Sequence, residues 1–199
     1  MICALDNKPE VRQEIQSLAD NIGADYATAR IIYENNNGYS LDKAPNGAES
    51  KLYKDLLDHY EGDENKALIA KAKTYLKPFF NWFGNWTDPE ATNVSKVADE
   101  NGEPSVVWHG NRTNTPIHEF NKQKIGSEHK PREISGFWFI TDQRIAKIEY
   151  SAKPEFFGTG KVEFGETLPV FLNIKHPVVA EQLGIKVEND PYIGKYTSV

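Results

Sequence analysis

The sequence predicts an α+β protein: a helical N-terminal region, residues 1–87, followed by a strand-rich region, residues 88–199. Three observations carry this. Apolar residues in the first half recur at helical spacing. From about residue 95, short runs rich in Val, Phe and Trp, bounded by turn residues, take over. The charge is uneven in the same sense, with 11 Lys/Arg against 17 Asp/Glu in residues 1–100 and 12 against 12 in residues 101–199.

In the first half, Val11, Ile15, Leu18 and Ile22 mark one helix that Gly23 can close. A second is expected over 25–35, stopped by Asn35-Asn36-Asn37-Gly38. Ala44-Pro45-Asn46-Gly47 reads as a turn. Leu52, Leu56, Leu57 and Tyr60 mark a third helix, ended at Gly62. Asp63 is placed to cap a fourth that carries Ala67, Ala70 and Tyr75. The aromatic run from Phe79 to Trp86 reads as a packing plug between two subdomains, and residues 87–93 as the connection.

In the second half, residues 95–98 and 105–108 flank Asp99-Glu100-Asn101-Gly102-Glu103, and Asn-Gly is a strong hairpin signal. A strand is expected over 136–141. Helical character follows over 142–151, with Ile145, Ala146 and Ile148 inward. Another strand is expected over 168–174, ended by His176-Pro177. Beyond Val179 the chain is polar and without clear pattern.

The length suits one ordinary domain or two small ones. Cys3 is the single cysteine, which excludes an internal disulfide and a cysteine-based zinc site. No apolar run approaches the roughly 18 residues of a membrane helix, and residues 1–9 show no secretory pattern, so a cytoplasmic location without membrane contact is expected. A net charge of −6 without a basic face argues against tight nucleic-acid binding. Arg112, Lys122, Lys124, Lys130 and Arg132 nevertheless fall in one segment, opposed by Glu119 and Glu128. That segment is either a solvated loop or a local anion site.

The motif that carries chemistry is Val106-Val107-Trp108-His109-Gly110, followed 26 residues later by Gly136-Phe137-Trp138-Phe139. A His at a strand end sets an imidazole donor and acceptor at a cleft mouth. The adjoining Gly lets a flat ligand reach the backbone without a Cβ in the way. His118 and His129 lack metal-ligand spacing. Ser105, Ser127, Ser135 and Ser151 lack a nucleophile-elbow context, and Gly158-Thr159-Gly160 is most simply a turn.

Together with Asn81-Trp82-Phe83-Gly84-Asn85-Trp86, residues 95–104, the helix at 146–150 and Val170-Phe171-Leu172-Asn173-Ile174-Lys175-His176-Pro177, this motif resembles the ADP-ribosyltransferase-like domains in large polyvalent proteins of phages and conjugative elements. Ala44-Pro45-Asn46-Gly47 and Ser50-Lys51-Leu52-Tyr53 look like the helical lead-in found before such domains in Bacteroides-type sequences. The resemblance spans roughly residues 44–177 and implies a split antiparallel sheet. It also implies NAD as substrate and an acceptor, protein or other, that it does not name.

Relatives of that family, the poly(ADP-ribose) polymerases and diphtheria toxin, share an H-Y-E signature. By resemblance, His109 holds a ribose hydroxyl, Gly110 grips the carboxamide through its backbone, and Trp138 stands where the family has a Tyr stacked on nicotinamide. Tyr150, twelve residues after Trp138, stands near the position of a second stacking Tyr. Arg112, Lys122 and Lys124 would lie near the pyrophosphate. The third position, a Glu on a later strand, has no match after Pro177. Glu163 and Glu166 come too early, and Glu188 and Asp190 lie in a stretch without strand character. The expectation is therefore a sheet incomplete at its C-terminal end, in a fragment of a longer protein or a copy without its catalytic carboxylate. Packing roles stay open beside these: His109 as a backbone-bonded core histidine, Trp138 and Tyr150 as core aromatics. So does a non-catalytic interaction module that keeps the fold alone.

Overall fold

The computed structural model describes residues 8–36, 40–113, 115–121, 136–153 and 162–178. The chain forms two units, one of residues 1–105 and 172–177, the other of residues 106–171 and 178–199. Helices fill the first and a small antiparallel sheet organises the second, so the α+β expectation holds.

The first unit begins with α1 (Pro9–Ile22), which opens on a proline, tolerated in a first turn, and closes on Gly23 at φ 69. Its Ile15 and Ala19 pack on Ala29 of α2 (Tyr26–Asn36). Asp25 caps α2, accepting from the Thr28 amide at 3.0 Å and the Thr28 hydroxyl at 2.7 Å. Ser50 caps α3 (Lys51–His59). Asp63 caps α4 (Glu64–Lys73) through the Lys66 amide, as its position in the sequence predicts. Ile32, Leu41 and Ala72 form a second apolar cluster that joins α2 to α4.

The aromatic run is itself a helix, α5 (Lys77–Phe83), which periodicity did not reveal. A proline in the first turn starts it. Phe79 stacks on Phe83 at 5.1 Å, and the Trp86 indole donates to the Thr74 carbonyl at 3.0 Å. Gly84 ends it at φ 107, where a Cβ would stand 2.4 Å from the Asn93 carbonyl oxygen. That close approach requires glycine.

Asn101-Gly102 does turn the chain, with Gly102 at φ 78 and the Asp99 carboxylate accepting from the Asn101 and Glu103 amides. Pairing between the flanking strands expected at 95–98 and 105–108 shrinks to one bridge, Ala98 to Pro104, while Val107 and Trp108 open a strand that pairs elsewhere. Pro104 has no N–H to extend a ladder. Residues 95 and 96 pair instead with the returning segment: Lys96 donates to the Ile174 carbonyl at 2.7 Å and the Ser95 hydroxyl to that of Leu172 at 2.7 Å.

Below the hairpin lies an ion pair that no sequence pattern announces. Lys71 of α4 and Glu103 are both fully buried, with Lys71 Nζ 2.7 Å from Glu103 Oε1. The ammonium also donates to the Lys43 carbonyl at 2.9 Å and the Ser50 hydroxyl at 2.5 Å. Burial pulls the Lys71 ammonium below the usual lysine range, against the raising effect of Glu103. Glu103 Oε2 has no hydrogen-bond partner among the described residues.

In the second unit, β1 (Val107–Asn111) pairs antiparallel with β2 (Glu166–Val170), Val107 opposite Val170 and Asn111 opposite Glu166. β2 stops short of the expected strand over 168–174; from Leu172 the chain pairs with residues 95 and 96 instead. Pro169 faces Trp108 in the register. Proline is tolerated there, since Trp108 directs its own N–H and C=O away from β2, to Ile140, at 2.7 and 3.0 Å.

That single bridge is all that forms of the strand expected over 136–141. The Trp138 carbonyl, which a continuing ladder would offer to Gly110, is bound instead by the His109 imidazole. Asp142 caps α6 (Gln143–Ile145), which runs into a π-helical turn, Ala146–Tyr150. Ala146 is buried, but Ile148 is 50% exposed, correcting the expectation that it faces inward. Ala146 and Tyr150 both lie against β1 at Gly110, which places Ile148, midway between them, on the opposite side of the turn. Among the described residues no helix is long and apolar enough to cross a membrane, and no cluster of His, Cys, Asp or Glu could hold a metal.

Candidate functional site

Alternation along β1 sorts the predicted site residues onto two faces. Trp108 and Gly110 point to one, His109 to the other. Because Trp108 is bridged directly to Ile140, their side chains share a face, and Trp138, two residues before Ile140, shares it too. The π turn packs on this same face with Tyr150. Gly110, Trp138 and Tyr150 are thus brought to one face of β1 at one edge of the sheet, with Trp138 50% exposed.

Gly110 meets a packing demand that its sequence context hides. A Cβ there would stand 2.5 Å from Tyr150 Cβ and 2.8 Å from the Ala146 carbonyl oxygen. The room that glycine leaves is therefore filled by the π turn, not held open on that side. Its main chain is what stays accessible. Since Trp108 sends its N–H and C=O to the 136–140 side, Gly110 sends its own the same way. No hydrogen bond joins Gly110 to Trp138 among the described residues. One donor and one acceptor are left side by side at the point where the two chains part, next to a half-exposed indole.

His109 lies across from this edge and reaches over it. Its Nδ1 is 2.8 Å from the Trp138 carbonyl oxygen. A carbonyl only accepts, so Nδ1 carries the proton, and in the neutral ring Nε2 is left as an acceptor. The imidazole stands among rings. Phe120 meets it edge-to-face at 5.0 Å and 89°, and Phe139 lies 5.5 Å away. Phe120 also packs on Phe137 at 5.1 Å and on Phe139 at 5.2 Å. Phe137 and Phe139 flank Trp138 and so point away from it.

Sequence reasoning missed this ring cluster. The alternation Phe137-Trp138-Phe139 carried the signal for two of its members, while Phe120, in a polar loop, gave none. The loop leaves β1 through Asn111, whose Oδ1 accepts from the Thr113 amide and hydroxyl and whose Nδ2 donates to the Thr115 carbonyl at 2.8 Å. Gly165 lies under it, where a Cβ would be 2.1 Å from the Asn111 carbonyl oxygen. Arg112 is half-buried at the start of this loop. Lys122 and Lys124, with the rest of the basic segment to Arg132, lie outside the described residues, as do Gly158-Thr159-Gly160, Glu188 and Asp190. Glu166 opens β2 opposite Asn111, and Glu163 pairs with Lys153 at 3.4 Å.

Comparison with curated proteins and with solved structures gave no match. Comparison with family models matched residues 99–197 to the family described as ADP-ribosyltransferase in polyvalent proteins. The match takes in the hairpin, β1 with His109 and Gly110, the Trp138 segment, the π turn and β2. Residues 99–197, just under half of the chain, thus form an ADP-ribosyltransferase-like domain of the kind found in polyvalent proteins.

Proposed function

We propose that the chain holds NAD at the open edge of β1 and transfers its ADP-ribose group to an acceptor. One observation carries this reading. The Trp138 carbonyl is bound by His109, and among the described residues no hydrogen bond joins Gly110 to Trp138, so the Gly110 amide and carbonyl stand beside a half-exposed indole. A carboxamide on a flat ring needs that combination, one donor, one acceptor and an aromatic face.

In this reading Gly110 orients the carboxamide, and Trp138 and Tyr150 flank the ring. His109 Nε2 accepts from a ribose hydroxyl, and Arg112, with Lys122 and Lys124, neutralises pyrophosphate. In the transfer, the bond from the ribose anomeric carbon to nicotinamide breaks with its electron pair leaving on nicotinamide. A lone pair of the acceptor forms the new bond, and the acceptor gives up its proton. The family's Glu, which steadies the cation developing at the ribose, has no assigned counterpart in this chain. Residues 1–87 serve as a helical lead-in, residues 88–199 as the transferase-like domain, within a cytoplasmic mobile-element protein.

A second reading, a non-catalytic module that keeps the fold, is favoured by Trp138 in place of Tyr. Incubation with labelled NAD and a cell lysate separates the two. Transfer gives labelled protein and free nicotinamide; if neither forms, the transfer reading is wrong. Calorimetry tests binding itself. NAD binding is expected in the parent and lost in His109→Ala. Trp138→Tyr should keep affinity within about 1 kcal/mol, and Trp138→Ala should lose about 1–3 kcal/mol, the scale of one stacked base. An Ala variant that binds like the parent places the nicotinamide site elsewhere.

A further inference from the structure

We propose that Phe120 is a positioning residue: it sets the plane of the His109 ring so that Nδ1–H stays on the Trp138 carbonyl and Nε2 remains the hydrogen-bond acceptor. His109 stands in the middle of β1, not at a strand end as expected, but an imidazole on a strand is still free to rotate about two side-chain bonds and to exchange its ring proton between nitrogens. Two features remove that freedom here. The Trp138 carbonyl fixes the proton on Nδ1 but holds only one atom of the ring. The ring plane must be set by packing, and Phe120 supplies it at 5.0 Å and 89°.

Phe120 is also the ring that joins the others, since it packs against Phe137 and Phe139 as well as His109. Phe137 and Phe139 flank the residue whose carbonyl His109 binds. Phe120 therefore presses together the imidazole and the extended segment that carries its acceptor. Without it, among the described residues only the contact of His109 with Phe139, at 5.5 Å, ties the rings together. The loop is built to deliver this side chain. Asn111 uses both ends of its amide to shape the turn that leaves β1, and Gly165 lets the loop base lie directly on the chain below. A ribose hydroxyl needs an acceptor held at one place, and a loose imidazole offers it only part of the time. The value of this tautomer for binding rests on the NAD reading above; the tautomer itself does not.

The test is nitrogen NMR on the full chain with ¹⁵N-labelled histidine at a pH where the ring is neutral, the His109 signals being identified by their loss in His109→Gln. The parent is expected to show a protonated Nδ1 and a bare Nε2. Phe120→Ala should shift both signals toward the average of two tautomers. Phe120→Leu, which keeps apolar volume and so protects the fold, should shift them too, and Phe120→Tyr should restore the parent pattern. Parent-like signals in both Ala and Leu variants would overturn the proposal. Titration of the same proteins with NAD reads the other layer, with an expected loss of roughly three- to tenfold in affinity for Phe120→Leu, the worth of one neutral hydrogen bond. A parent that binds no NAD refutes the NAD reading alone and leaves the tautomer result standing.

Discussion

Replacing Lys71 with Met strands the Glu103 carboxylate in a fully buried position without its ammonium. At 2.7 Å and an effective dielectric of about 20, the attraction between the two charges is roughly 6 kcal/mol. Desolvation of both ions opposes it by several kcal/mol. Removing one partner recovers none of the other's desolvation, so Lys71→Met should lose about 3–5 kcal/mol. Glu103→Gln keeps an oxygen that can accept from Lys71 and should lose less, about 1–3 kcal/mol. The double variant Lys71→Met/Glu103→Leu removes both charges and should return to within about 2 kcal/mol of the parent, the remaining loss being the donors to the Lys43 carbonyl and Ser50 hydroxyl.

Urea unfolding reads all three variants. Lys71→Met as stable as the parent, or a double variant no better than Lys71→Met, refutes the reasoning. An alkaline titration adds an independent check. Burial lowers the Lys71 value in the folded state, so between that value and the usual 10.5 the unfolded chain binds the extra proton. Stability must rise with pH across that window, and the rise must be missing in Lys71→Met.

Gly110→Ala drives a methyl into Tyr150 and the Ala146 carbonyl, so the π turn must move; thermal unfolding should show a loss of about 1–3 kcal/mol. Asp142→Ala removes the cap of the helix that leads to Tyr150 and should cost about 0.5–2 kcal/mol by the same measurement. Hydrogen bonds from Thr28 hold the Asp25 carboxyl below its usual 3.8. Its contribution is complete above that value and is lost as pH falls through the lower folded-state value. Acid unfolding of Asp25→Asn, which keeps an oxygen for the Thr28 amide, should lose that part of the pH dependence.

The helices were legible wherever apolar period and cap residues agreed. Gly23 and Asp63 act through their own neighbours in sequence, so local pattern suffices to find them. α5 escaped because it is only seven residues long, and its one short polar pair, Lys77 and Asn81, sets too brief a period to stand out among the aromatics. The second half was read a strand too generously. Ladder length depends on the partner's main chain, and Pro104 and the imidazole of His109 end two ladders by means that composition does not display. The buried pair of Lys71 and Glu103 was illegible for a similar reason: two residues 32 positions apart, each ordinary on a surface, meet only in the folded unit. Of the residues that the sequence singled out, His109 meets the Trp138 segment through its main chain, but the packing reason for Gly110 and the presence of Phe120 were not in the pattern.

The anchor of His109 is a main-chain oxygen, and every amino acid at position 138 supplies the same one. The imidazole's tether is thus indifferent to what side chain stands there. Trp, Tyr or Phe at 138 can change the size and polarity of the exposed face while the proton on Nδ1 and the acceptor on Nε2 stay where they are. The edge is in this sense modular, with a fixed hydrogen-bonding half and an exchangeable stacking half. A sequence can drift at position 138 without first loosening the histidine.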